Sequence, residues 1–195
     1  MIQSGMVKQI LQIGAPGLSE KSKKVIEFNT LELNVVVTDL IDTADKNRLI
    51  TAGLAAPQIG ISLAVCVCRR VDLEKQDGEN IPKEILWEVM INPVITKLSK
   101  GESVFWEGCL SVGIGNGALF GPVTRSKAIT VKYQNITGEA KELTVQDFFS
   151  HEVQHEIDHL EGIIFLKYIS NPANIWKRKD LDVYYDKNGE YPPEI

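Results

Sequence analysis

Apolar residues between positions 30 and 46 recur at steps of three and four: Leu33, Val36, Val37, Leu40, Ile41 and Ala44. That period predicts a helix from about Thr30 to Lys46, despite the β-branched run Val35-Val36-Val37. A second helical period follows Leu143. At about 100° per residue, Phe149, Val153, Ile157 and Leu160 share one face, and Phe148, His151, Glu152, His155 and His159 share another. Thr144 is placed as an N-cap, with Asp147 completing a capping box and Leu143 and Phe148 at the staple positions. Gly162 is placed to end the helix in a left-handed turn. One side of this helix is built for a core, and the other is rich in ligating side chains.

Shorter alternating runs predict strands. Ser62 to Cys68 is one. In it Cys66 and Cys68 alternate with Val65 and Val67, so both cysteines face one way and read as small core residues. Leu86 to Ile95 contains a strand broken at Asn92-Pro93. Ala128 to Tyr133, a turn over Gln134 to Gly138, and a return strand from Glu139 to Leu143 deliver the chain to the second helix. Residues 9–28 read as a loop around Gly14, Pro16 and Gly17. Residues 71–83 read as an exposed loop with an Asp77-Gly78 turn. Ile163 to Leu166 reads as a buried exit segment. The tail is polar, and Asn188-Gly189 suits a small hairpin between Val183-Tyr184-Tyr185 and Tyr191. No repeat is present. The chain reads as one domain over residues 1–195, with a core at about 10–168 and a polar tail over 169–195.

Composition narrows the class. With 195 residues the chain can bury about 70% of its unfolded surface without staples. Its 44% hydrophobic and 24% charged content is that of a globular, non-membrane chain. A net charge of −5 argues against a nucleic-acid surface, which needs clustered Lys and Arg. The one dense basic run, Lys177-Arg178-Lys179, reads as a solvated helix or tail. Three cysteines suit a reducing compartment. No run approaches the roughly 18 apolar residues of a membrane span. The start, Met1 to Lys8, lacks the apolar core of a signal peptide. Those features together predict a cytoplasmic protein without a membrane partner. An organellar protein with its transit peptide trimmed fits the same start.

All three histidines lie on the second helix, four residues apart, so two copies of His-Glu-x-x-His overlap: His151 to His155 and His155 to His159. Histidines at i and i+4 lie one turn apart and reach one metal ion. The Glu beside the first His handles the proton of a bound water. A solvated polar helix face is the alternative, but three scattered histidines rarely fall in this register. Cys109 is the one cysteine outside the Cys66/Cys68 pair. A Cys with two helical His makes a three-ligand site with an open fourth position. The segment Thr51 to Gly60 is small, apolar and rich in Gly and Pro, which lets backbone approach a ligand closely. Gln58 is its one strong polar group and reads equally as an ordinary loop amide. Gly113 to Gly121 is glycine-rich, but no Lys-Ser/Thr follows, so it does not read as a phosphate loop.

Three blocks in order, GLAAPQ at Gly53 to Gln58, EGCLS at Glu107 to Ser111 and QHEIDHLEG at Gln154 to Gly162, resemble the peptide deformylase family. The NPVI segment at Asn92 to Ile95 fits too. The resemblance implies an α+β fold with antiparallel strands wrapped around a central metal-binding helix. It implies removal of the formyl group from the N-terminal formyl-methionine of nascent chains, with a formylated peptide N-terminus and the ribosome as partners. Carried over by position, Cys109, His155 and His159 match the metal ligands and Glu156 the general acid/base. Gln58 and the Leu110 N–H match the oxyanion donors. The resemblance thereby selects the second His-Glu-x-x-His copy. Gly53, Ala52, Glu107, Phe105, His151 and Glu152 are expected around the substrate. One divalent ion is implied, typically Fe²⁺, with Zn²⁺, Ni²⁺ or Co²⁺ accepted.

The chain departs from the family pattern in places. Thr51 and Gly113 stand where Gly and Pro are usual. The loop after Gly113 is longer than usual and holds no arginine before Arg125, whereas the family commonly has a basic residue there near the substrate backbone. His151 and Glu152 replace apolar or Cys residues, and Ala52 replaces a larger aliphatic. These changes predict a polar pocket, weak action on formyl-Met peptides and a preference for polar or cationic side chains. That pattern would also suit a related hydrolase of another formylated or acylated substrate. Glu152 is expected to find His151 or solvent as its partner.

Overall fold

The computed structural model describes residues 5–73 and 86–195. Helix α1 spans Leu31–Lys46, close to the predicted bounds, and the Thr30 hydroxyl caps it by accepting the Leu33 N–H at 3.1 Å. The strands in chain order are β1 (Gly53–Ala55), β2 (Val65–Arg69), β3 (Trp87–Leu98), β4 (Glu102–Gly108), β5 (Leu119–Ser126), β6 (Ala128–Gln134), β7 (Ala140–Gln146) and β8 (Trp176–Lys177). Between β7 and β8 lies helix α2 (Asp147–Leu160), and helix α3 (Arg178–Asn188) follows β8. Two antiparallel sheets result, ordered β1-β2-β3-β6-β7 and β4-β5-β8.

Alternation along β2 explains how the layers stack. Val65 and Val67 join Leu33, Val36, Val37 and Leu40 of α1 in one core cluster. Cys66 and Cys68 join Met90, Ile129, Val131 and Val145 beneath Phe149, Val153 and Leu160 of α2. The strand is buried on both faces, which is why it reads as a nearly continuous apolar run. The ligand-rich face of α2 looks the other way, towards β4, β5 and the residues after β4. The fold is thus α+β, with antiparallel strands around a central helix. Among the described residues, no helix is long and apolar enough to cross a membrane.

Four local expectations need correction. First, α2 begins after Gln146 with no side-chain cap. Strand β7 stays paired to β6 as far as Gln146, so Thr144 lies in the ladder and its hydroxyl meets that of Thr130 at 3.0 Å. Asp147 makes the turn at φ 54°, its N–H donating to Lys127 O at 2.7 Å. Leu143 packs beneath α2 and Phe148 is largely exposed, so no staple forms. Second, β3 is bulged at Asn92-Pro93 and not broken, with register shifts after Ile91. Asn92 takes φ 51° and its side chain bonds Val25 N, Val25 O and Gln134 Oε1.

Third, Asn188-Gly189 makes no hairpin. Gly189 caps α3 at φ 76° and its N–H donates to Tyr185 O at 2.7 Å. Fourth, the segment read as a polar tail is built into the fold. β8 pairs with β5, and Asn174 and Leu181 are buried. The Asp77-Gly78 turn lies outside the described residues. Gly162 does end α2 in the left-handed region, at φ 74°, and a Cβ there would sit 2.7 Å from the Ser19 carbonyl carbon.

Candidate active site

The three donor atoms of Cys109, His155 and His159 lie within 4.8 Å of one another. His155 and His159 come from successive turns of α2, and Cys109 from the end of β4. The Cys109 sulfur stands 3.2 Å from His159 Nε2. Burial would raise the Cys109 thiol, but the His159 and His155 imidazoles hold it well below its usual value. Burial would lower the His155 imidazole, but Cys109 and Glu107 together raise it well above the ordinary range. The site therefore favours a thiolate among imidazoles. Of the overlapping motifs, it is the second that reaches Cys109. His151 turns instead to Ser103, with Nε2 at 3.0 Å from the hydroxyl and 3.1 Å from the carbonyl.

The segment carrying Cys109 is clamped from the far end of the chain. Gln12 Nε2 donates to Leu110 O at 3.0 Å and Gln12 Oε1 accepts from Gly113 N at 3.2 Å. Ile13 N donates to Ser111 O at 2.8 Å. Ser111 N donates to the Cys109 sulfur at 3.4 Å. Nothing local in the sequence marks Gln12, whose role exists only once the N-terminal segment packs against residues about a hundred positions on.

Glu107 is the hub behind the histidines. It accepts two bonds from Arg125, Nε at 2.6 Å and Nη2 at 3.0 Å. It also accepts from His155 Nδ1 at 2.9 Å and stands 3.4 Å from His151 Nδ1. Burial would raise its carboxyl, but the bonds from His151, His155 and Arg125 hold it far below the carboxylate range. Arg125 also donates to Asp158 at 2.7 Å and lies over the Tyr168 ring. Glu107 borders the cavity, but both of its oxygens are engaged, so it orients His155 where a substrate contact was expected. Arg125 is likewise turned inward and does not face a substrate.

A cavity of about 270 Å³ opens beside the three donors. Gly53, Gln58, Leu110, His155 and Glu156 border it, as do Ala52, Phe105, Phe148, His151 and Glu152. Gln58 is aimed by its own loop: Oε1 accepts Ala55 N–H at 2.8 Å, leaving Nε2 to face Cys109 Sγ at 3.5 Å and Ser111 Oγ at 3.3 Å. Burial raises the Glu156 carboxyl to about 7, and its Oε2 is buried without a hydrogen-bond partner. Gly53 permits this placement, since a Cβ there would lie 2.6 Å from Glu156 Oε1.

The polar-pocket expectation changes here. His151 is tied to Ser103 and packs edge-on to Phe105 at 4.5 Å. Glu152 is only 6% exposed, and its partner is the Arg69 backbone N–H at 2.7 Å, not His151 or solvent. Burial raises its carboxyl well above the ordinary range, opposed by that Arg69 bond. Much of the remaining wall is apolar: Ile50, Ala52, Phe105, Trp106, Ile114, Ala118, Phe120 and Phe148.

Residues 7–174 match the family model described as polypeptide deformylase. The chain belongs to the polypeptide deformylase family. Peptide deformylase 1 of Nitrosomonas europaea is 38% identical over 163 residues, 82% of this chain and 86% of that protein. The peptide deformylase of Pseudothermotoga lettingae is 38% identical over 176 residues, 90% of this chain and 91% of its own. Among solved structures, a Legionella pneumophila peptide deformylase aligns at TM-score 0.74 and 33% identity, covering 96% of this chain and all of that one. A Met-Ala-Ser-bound peptide deformylase of Acinetobacter baumannii aligns at 0.72 and 31%, covering 86% and 100%. Polypeptide deformylases are metal-dependent hydrolases, and the Cys/His/His group of this member offers a donor set of that kind.

Proposed function

We propose that this protein removes the formyl group from the N-terminal formyl-methionine of newly made polypeptides. The observation that carries the reading is the convergence on one cavity of Cys109, His155, Glu156 and Gln58 in a deformylase chain, with His159 completing the donor cluster. The alternative of an altered, polar-selective hydrolase is not favoured, because His151 and Glu152 are held by the protein itself.

One soft thiolate and two imidazoles suit a four-coordinate divalent ion with one position open. The His155 nitrogen away from the cluster is fixed by Glu107, the outer contact that ligating histidines ordinarily make. Cys109, His155 and His159 are thus the proposed ligands, with Fe²⁺ as the ion in the cell and Zn²⁺, Ni²⁺ or Co²⁺ as acceptable substitutes. When bound, the ion supplies Lewis acidity and a water acidified towards neutral pH. Glu156 would take the proton of the attacking water and return it to the leaving amine. Its raised pKa, about 7, suits a group that must do both. Gln58 Nε2 and the Leu110 N–H donate to the formyl oxygen as it gains charge. Gly53, Ala52, Phe105, His151 and Glu152 enclose the methionine side chain. Nascent chains at the ribosome are the proposed substrate source. The free, buried cysteines support the cytoplasm as the place.

The direct test is deformylation of formyl-Met-Ala-Ser by protein loaded anaerobically with Fe²⁺ or Ni²⁺. Free amine should appear at one metal ion per chain, and absence of turnover in fully loaded protein would refute the reading. Gln58→Leu should lower kcat by about two orders of magnitude, since its bond strengthens as charge develops. A change confined to KM would make Gln58 a substrate-positioning group instead.

A further inference from the structure

The family match ends at residue 174, yet residues beyond it back the cavity wall, and one of them, Arg178, lines the cavity itself. Lys177 and Trp176 of β8 pair with Leu119 and Phe120 of β5. The Trp106 ring meets Trp176 edge-on at 6.3 Å and stacks with Tyr191 at 5.9 Å. Arg178 N donates to Ala118 O at 2.8 Å. Trp106, Ala118 and Phe120 all border the cavity, so Arg178 is fixed by its backbone against the rim.

Arg178 is the one Lys or Arg among the described residues that line the cavity. Its side chain is 37% exposed, which places it where the cavity opens to solvent. Its Nε stands 3.5 Å from Asp182 Oδ2, one turn along α3. An exposed pair of that spacing is weak, and an incoming carboxylate displaces it readily. Of the acidic lining residues, Glu107 is already neutralised by Arg125, and Glu152 and Glu156 are buried.

We infer that Arg178 is a specificity-determining residue that favours an acidic side chain at the second or third position of the substrate. This rests on the deformylase reading, in which the formyl end lies at Glu156 and the chain leaves through the opening. A guanidinium there pairs with Asp or Glu side chains and repels Lys.

The test compares C-terminally amidated formyl-Met-Ala-Asp with formyl-Met-Ala-Lys, and formyl-Met-Asp-Ala with formyl-Met-Lys-Ala, on the metal-loaded protein. The acidic member should be favoured about three- to fivefold in kcat/KM, through KM, at low salt. Arg178→Gln should level the ratio, Arg178→Glu should reverse it, and Arg178→Lys should keep it. A ratio near one in both pairs, or one that survives Arg178→Gln, overturns the inference. The product peptides Met-Ala-Asp amide and Met-Ala-Lys amide, titrated calorimetrically into zinc-loaded protein, read the same ratio without turnover. Absence of turnover on every formyl peptide would therefore sink the deformylase reading, while the binding ratio still decides Arg178.

Discussion

Replacing Glu156 by alanine is expected to leave the protein loaded with metal and almost inert. The three clustered donors do not include Glu156, so metal content should hold. Only the group that moves the proton is lost, and such groups contribute about 10²- to 10⁴-fold. The structure gives Glu156 the setting for that task. It is 4% exposed, burial raises it to about 7, and its Oε2 is left without a protein partner. Metal analysis and kcat on a formyl-Met peptide, measured on one preparation, check the expectation. A kcat within about tenfold of the parent at full loading would remove Glu156 from the mechanism.

Glu107→Ala is expected to damage stability and metal binding together. It would leave the Arg125 guanidinium, its side chain 5% exposed, with Asp158 as its remaining carboxylate among the described residues. Stripping one partner from a buried ion pair typically costs about 3–5 kcal/mol. It would also free the His155 ring, and loss of such an outer contact typically weakens metal affinity by about 10- to 100-fold. Urea unfolding and a chelator competition measure the two effects separately. Glu107→Gln keeps the shape and should lose less on both counts. A loss below about 1 kcal/mol for the alanine variant, with metal affinity unchanged, would show that Arg125 and His155 find other support.

The contrast between Glu156 and Glu107 shows what a sequence can carry. Glu156 sits inside a helical repeat whose spacing offers two overlapping motifs, and the family resemblance picks out the copy that joins it to His155 and His159. Glu107 sits on a strand, and its meaning depends on Arg125, eighteen residues on, and on two rings from α2. No local period encodes that meeting. Turn chemistry was legible only in part. Gly162 acts where the pattern places it. Thr144 does not, because pairing with β6 claims it first. Gly189 takes the positive φ that both a hairpin and a helix end require, so Asn-Gly could not say which it would serve. The two-residue β8 is too short to leave a period at all, and its place behind the Phe120 wall appeared only in three dimensions.

That wall has a consequence for how the molecule breathes. β8 is joined to β5 through two paired positions, whereas β6 and β7 are joined through seven. Cooperative units with few shared bonds open first, well below the free energy of global unfolding. Amide exchange in residues 176–188 should thus proceed while the amides of α2 stay protected. A peptide lodged against Trp106 and Phe120 should slow that exchange, making deuterium uptake near the C-terminal end a gauge of occupancy.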